Sequence, residues 1–261
     1  MGISDPGSFC WFELGTSDQP AAVTFYRSLF HWDVNESPMG PGEVYSMFRF
    51  RGLDAAAAFT LRPEQRSQGV PPHWMIYVAV TDADASSARA AELGGTVIAP
   101  PFDVFDFGRM AVIQDPTGAM FSIWQGRSHK GAGIWGTPGA ASWGDLSTPD
   151  QARAAEFYSL LFGWRMVAGS DLHEAQPGEY FHILNGNDMI GGISPPEQRD
   201  PNAPPHWLTY FEAESCSAAT TRAKSLGATA YLENMEISEE GHVSVVADPQ
   251  GAVFGIHAKR R

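Results

Sequence analysis

The chain has 261 residues, 43% hydrophobic and 18% charged, with a formal net charge of −13 at neutral pH. Nucleic acid and anionic membranes call for basic surfaces, so neither is expected as a partner, and no apolar run approaches the roughly 18 to 20 residues that cross a bilayer. The two cysteines, Cys10 and Cys216, supply neither a disulfide framework nor a zinc knuckle and suit a reducing compartment.

In chain order, MGISDPGS lacks the basic and apolar regions of a signal peptide, and Pro6 breaks the myristoylation pattern. A cytoplasmic protein is expected. CWFEL reads as a strand leading into a helix that starts near Thr16 to Asp18, with Pro20 in its first turn and Ala22, Phe25, Tyr26, Leu29 and Phe30 at helical spacing. VYSMFRF and AAAAFTL read as strands, then HWMIYVAV as a strand and DADASSARAAELGG as a helix ended by glycine. TVIAP, RMAVIQD and AMFSIW complete the first half as strands, the last two joined by DPTG, a type I turn sequence.

The same order then returns. WFELGTSDQPAAVTFYRSLFHW (11–32) reappears as WGDLSTPDQARAAEFYSLLFGW (143–164), PPHW (71–74) as PPHW (204–207), and DPTGAMFSIW (115–124) as DPQGAVFGIH (248–257), at spacings of 132 and 133 residues. Periods this long mark duplicated domains rather than a solenoid. In the second copy Thr148 is the expected N-cap, Pro149 the first helical residue and Gln151 the closing residue of a capping box. The Gly-rich stretch that begins near residue 125 contains the expected linker, 128–141. It separates a domain over 1–127 (modules 9–62 and 72–126) from one over 142–261 (modules 142–195 and 205–258). Lys259, Arg260 and Arg261 read as a solvated basic tail.

Paired βαβββ modules with an FY…LFGW helix, a PPHW strand and a DPxGxxF hairpin resemble the vicinal oxygen chelate superfamily, which includes glyoxalase I, extradiol dioxygenases, epimerases, and fosfomycin and bleomycin resistance proteins. The resemblance covers nearly the whole chain. It implies an α+β fold in which each pair of modules curls its strands into a cup for a small molecule. It also implies, for metal-using members, a divalent ion bound by His, Gln or Glu from the first and last strands of each module.

Those positions hold Trp11, Met75 and Ser122 in the first half and Trp143, Leu208 and Gly255 in the second. None is a ligand for zinc, iron or a hard divalent cation. No cofactor is therefore expected. Alternation along strands turns Glu13, His73, Tyr77 and Trp124 towards the same side as Trp11 and Ser122. In the second half it gathers Trp143, Asp145, His206, Tyr210 and His257.

Glu13, Asp145, His73 and His206 are the candidates for proton transfer. Trp11, Tyr77, Ser122, Trp124, Trp143, Tyr210 and Arg109 are the candidates for ligand binding. Each has a plainer alternative. The tryptophans and tyrosines could be packing, and the histidines could bond a loop carbonyl where the strand opens. Glu13 and Asp145 could bond a backbone edge or pair with an arginine such as Arg109, whose FDVFDFGRM run is either a loop over the first cup or surface. Asp145, His206 and His257 would be the set for an off-pattern metal. Three functions stay open: a metal-independent isomerase, epimerase or lyase acting beside a carbonyl; a metabolite- or drug-binding protein; and a metal-dependent glyoxalase or dioxygenase. A monomer or loose homodimer is expected.

Overall fold

The structure, a computed structural model, describes residue 2 and residues 4–40, 42–169, 171–237 and 241–260. Arg261 of the basic tail lies outside the described residues. The first half runs β1 (Phe9–Thr16), α1 (Gln19–Phe30), β2 (Asp33–Gly40), β3 (Glu43–Phe50), β4 (Leu53–Thr60), α2 (Pro63–Ser67), β5 (His73–Ala79), α3 (Ala83–Glu92), β6 (Thr96–Val104), β7 (Gly108–Gln114) and β8 (Met120–Gly126). The second half runs β9 (Ala141–Ser147), α4 (Gln151–Phe162), β10 (Arg165–Ala168), β11 (His173–Glu174), β12 (Phe181–Asn185), β13 (Asp188–Ile193), a 3-10 turn (Pro196–Gln198), β14 (His206–Glu212), α5 (Cys216–Ser225), β15 (Thr229–Ile237), β16 (Gly241–Ala247) and β17 (Val253–Lys259).

The class is α+β, as expected. Each half contributes one mixed sheet, in the order β2-β3-β4-β1-β5-β8-β7-β6 and β11-β10-β12-β13-β9-β14-β17-β16-β15. Strand β2, DVNESPMG, has no apolar alternation to announce it, because it is an edge strand and almost wholly exposed. No described helix is long and apolar enough to cross a membrane.

Aspartate caps both repeated helices: Asp18 accepts from Ala21 N and Asp150 from Arg153 N. This corrects the expected cap in the second copy. Thr148 instead accepts from Asp150 N at 3.2 Å, and Gln151, the first helical residue, turns its side chain inward and makes no capping box. Both hairpin turns close as type I, Gly118 N donating to Asp115 O and Gly251 N to Asp248 O.

Compactness divides the chain into two units, each mixing modules of both halves. Unit 1 comprises residues 1–11, 76–131 and 143–208, and unit 2 residues 12–75, 132–142 and 209–261. The repeated motifs knot each unit from within. In unit 2, Tyr26 of the FY pair donates to Asp248 of the second hairpin at 3.0 Å and accepts from the Trp74 indole at 2.9 Å. In unit 1, Tyr158 donates to Asp115 at 2.9 Å and accepts from Trp207 at 2.8 Å. Each aspartate uses its other oxygen on backbone N–H groups of its own turn. Burial, followed by the neighbouring aspartate charge, pushes both phenols well above their usual range, so they remain donors. The third repeated aromatic closes a further bond in each unit: Trp32 donates to Gly139 O of the Gly-rich segment at 2.7 Å, and Trp164 to Gly7 O at 2.8 Å.

Candidate functional site

In unit 1, Trp143 and Asp145 stand two residues apart on β9 and share a face. Both are half-buried, while Gly144 and Leu146 between and beyond them are buried. Asp145 pairs with Gly192 of β13, and Gly192 with His182 of β12. The three strands thus set Asp145, Gly192 and His182 in one row. Tyr180 and Ser194 stand one step along, beside the ends of β12 and β13.

These neighbours converge on the carboxylate. Tyr180 Oη donates to Asp145 Oδ1 at 3.1 Å and Ser194 Oγ to Oδ2 at 2.9 Å. Trp143 Nε1 in turn donates to Tyr180 Oη at 3.0 Å. The neighbouring rings pack edge to face, His182 centred 5.0 Å from Tyr180 and 6.3 Å from Trp143. Desolvation raises the Asp145 pKa to about 6, opposed by the two hydroxyl donors, which favour the charged form. Glycine at 192 is a steric requirement. A Cβ there would fall 1.9 Å from Tyr180 Oη, so only a bare backbone lets the phenol cross to Asp145.

Unit 2 builds the counterpart from Glu13 on β1, which pairs with Ala57 of β4. Tyr45 of β3 donates to Glu13 Oε1 at 2.7 Å. Tyr45 pairs with Phe59, so an aromatic ring occupies the step where unit 1 has Ser194. Both sites have a glutamine at the helix start. Gln19 reaches Val44 O, Ser46 Oγ and Ala58 O, and Gln151 reaches Glu179 O and Ile193 O.

The other expected site residues serve packing or local bonds. In unit 1, Trp11, Tyr77, Ser122 and Trp124 are 5%, 3%, 0% and 7% exposed, and the Trp124 indole donates to His129 O. They form core, which is the packing alternative for these positions. Arg109 is tied to Asp84 at 2.7 and 2.9 Å and to Asp103 at 3.0 Å, a surface ion cluster that holds both carboxyls below their usual range. His206 in unit 1 and His73 in unit 2 each set Nδ1 2.8 Å from the carbonyl two residues earlier, Pro204 and Pro71, the strand-opening role. Burial holds His73 below its usual range. Tyr45, Tyr180, His182, Ser194 and the two glutamine clamps were not read from the sequence. The signal was present in PGEVY (41–45) and PGEY (177–180), a fourth repeated motif.

The family's divalent ion does not fit the residues at its ligand positions. The Tyr210 ring lies on Gly255 so closely that a Cβ there would meet it at 2.1 Å, leaving no room for a ligating side chain. Ser122 offers a buried neutral hydroxyl. Among the described residues no group of three or more His, Cys, Asp and Glu side chains gathers as a metal site, so Asp145, His206 and His257 do not assemble into the two-histidine, one-carboxylate set. A groove of about 590 Å³ in unit 1, lined by Ala152, Ala155, Met166, Val167 and Phe181 among others, includes none of the candidate residues.

The chain is similar along most of its length to CFP32 of Mycobacterium bovis, provisionally named a glyoxylase, with 37% identity over 94% of this chain and 92% of that protein. It is also similar to the anthracycline biosynthesis protein DauV of Streptomyces sp. strain C5, with 32% identity over 96% of this chain and 93% of that one. In fold it resembles a Mn(II)-bound glyoxalase from Novosphingobium aromaticivorans (TM-score 0.65, 16% identity, 96% of this chain and 81% of that one). The 2,3-dioxygenase LapB from Pseudomonas sp. KL28 is similar to the same degree (TM-score 0.65, 13% identity, 98% and 94%). The profile of the glyoxalase/bleomycin resistance protein/dioxygenase superfamily matches residues 8–123 and again 141–256. With both copies matched and relatives above 30% identity over almost its full length, the chain belongs to that superfamily.

Proposed function

We propose that unit 1 carries a metal-independent isomerase, epimerase or lyase site in which Asp145 takes, and where the reaction requires returns, a proton on the carbon beside a carbonyl. The observation that carries this reading is a half-buried carboxylate with a pKa of about 6, met by a hydroxyl on each oxygen. Such a group is ionised at neutral pH yet is a stronger base than an ordinary aspartate, the condition general-base catalysis favours. Tyr180 and Ser194 aim the carboxylate, and Trp143 and His182 supply ring walls for a small organic substrate. The provisional glyoxylase name of the CFP32 relative supports a substrate of carbonyl type.

The test is solvent deuterium exchange into a panel of enolisable carbonyl compounds. Wild type should catalyse exchange with a rate that rises through about pH 6, and Asp145→Asn should abolish it; an equally fast Asn variant sinks the reading. A second reading is a binding protein for a flat aromatic metabolite, favoured by the Trp143, Tyr180 and His182 rings and by the anthracycline biosynthesis name of the DauV relative. In that case Asp145→Asn leaves the affinity for such a compound unchanged and no exchange is seen with wild type.

A further inference from the structure

We propose that Gln151 is a positioning residue for this site, its side-chain amide fixing the backbone from which Tyr180 and Ser194 reach Asp145. The inference rests on the assignment of Asp145 as the working group. Gln151 is 4% exposed, and its Nε2 donates to Glu179 O at 2.8 Å and to Ile193 O at 3.0 Å. Each carbonyl belongs to the residue just before one that holds Asp145: Glu179 precedes Tyr180, and Ile193 precedes Ser194. One NH₂ group, with two hydrogens, thus fastens both arms of the site.

The sheet holds only one of these arms, through Ser194 N donating to Leu146 O of β9 at 3.1 Å, and does not tie it to Tyr180. The last pair in the β12–β13 ladder is Phe181 with Ile193, so Tyr180 and Ser194 both lie just past its end. There the pairing no longer fixes the spacing between the two chains. In unit 2 the equivalent Tyr45 and Phe59 are a regular pair within the β3–β4 ladder. Gln19 makes the same kind of clamp there, on Val44 O and Ala58 O, where the ladder already holds the geometry. The contrast assigns a stabilising part to Gln19 and a site-setting part to Gln151.

The experiment compares Gln151→Met, which keeps chain length and removes both donors, with Gln19→Met. The reference is the double variant Tyr180→Phe, Ser194→Ala. The readout is the titration midpoint of the Asp145 carboxyl carbon, followed by NMR in ¹³C-aspartate-labelled protein and assigned with Asp145→Asn. The double variant loses both donors to the charged form, so its midpoint should rise. Gln151→Met should move it the same way, by about 0.5 to 1 unit, while Gln19→Met lowers the melting temperature comparably and leaves the midpoint in place. A folded Gln151→Met protein with an unchanged midpoint overturns the proposal, and so does an equal shift in Gln19→Met. If Gln151→Met fails to fold, Gln151→Leu, which is neutral and also lacks both donors, replaces it under the same criteria. Failure of the functional reading looks different: Asp145→Asn retains proton exchange while the Gln151 variant still shifts the midpoint.

Discussion

Glu13 with Tyr45 and Asp145 with Tyr180 occupy matching positions, built once in each unit. The tyrosines are 135 residues apart, as are Phe59 and Ser194, Met47 and His182, and Ala57 and Gly192. Glutamate is longer than aspartate by one methylene, and in unit 2 it reaches its tyrosine unaided at 2.7 Å, over an alanine. In unit 1 the acid is shorter, and the tyrosine makes up the distance by lying across a glycine that has no Cβ to obstruct it. The exchanges go together. A shorter acid, an open floor at 192, and Ser194 and His182 in place of Phe59 and Met47 distinguish an aspartate met by a hydroxyl on each oxygen from a glutamate met by Tyr45. Both copies keep the aromatic knots, which serve the fold, and both keep a glutamine clamp, which in unit 1 stands past the end of the ladder. What differs lies in one row of the sheet and the step beside it.

The severest way to break that contrast is Gly192→Ala. The added Cβ must displace the Tyr180 phenol or the backbone, at a cost typical of overpacking, about 1 to 3 kcal/mol. A crystal structure should show the bond between Tyr180 and Asp145 broken, and proton exchange should fall about 100-fold, the order a misplacement of about 1 Å can cost. The reverse change in unit 2, Ala57→Gly, removes nothing that Tyr45 needs and should cost about 0.5 to 1 kcal/mol through backbone entropy alone, read as a small drop in melting temperature. Equal losses from the two substitutions would show that the copies use their tyrosines alike.

Next in size is an exchange of the flanking step. Ser194→Phe gives unit 1 the unit 2 residue and removes the donor to Asp145 Oδ2. Loss of a hydrogen bond to a charged group costs about 1.5 to 3 kcal/mol. It should raise the Asp145 midpoint and slow exchange about tenfold. Phe59→Ser in unit 2 should destabilise by removing apolar contact and create no exchange activity, since the acid there is still a glutamate over alanine.

The sequence makes the shared features readable and hides most of the different ones, for a physical reason. Strand alternation around Glu13 and Asp145, the hairpin aspartates and the glycine-ended helices are local patterns, readable in windows of a dozen residues. Tyr26, Trp74 and Asp248 could be read as repeats, yet their hydrogen-bonded knot joins positions 48 and 222 residues apart, beyond any local signal. The row carrying His182, Gly192, Tyr180 and Ser194 depends on which residue of one strand faces which of another. The copies also drift here from a spacing of 132 at Glu13 and Asp145 to 135 at the tyrosines. A comparison at constant offset therefore slides past PGEVY and PGEY. Tyr77 and Tyr210 alternate correctly with Met75 and Leu208, as tyrosines of a site would. Alternation gives the face of a strand but not how deeply it is covered, and both rings are core.

The smallest effect, and the one most specific to the contrast, is the stability of Asp145→Asn as a function of pH. The folded-state pKa of about 6 lies above the roughly 3.9 of an aspartate in an unfolded chain. The folded state therefore binds the proton more tightly than the unfolded one. The corresponding stability is complete below about pH 4 and is lost as pH rises through 6. At neutral pH the wild type holds a charged carboxylate in a site that favours the neutral form. A full two-unit shift would correspond to about 2.7 kcal/mol, and the partial exposure of Asp145 reduces this to about 1 kcal/mol. The neutral asparagine carries no such cost and its carbonyl can still accept from Tyr180 or Ser194. The variant should therefore melt a few degrees above wild type at pH 7.5, with the difference closing towards pH 4. A gap that stays constant with pH would place the Asp145 midpoint outside this window and remove the electrostatic half of the contrast, leaving only its steric half at Gly192.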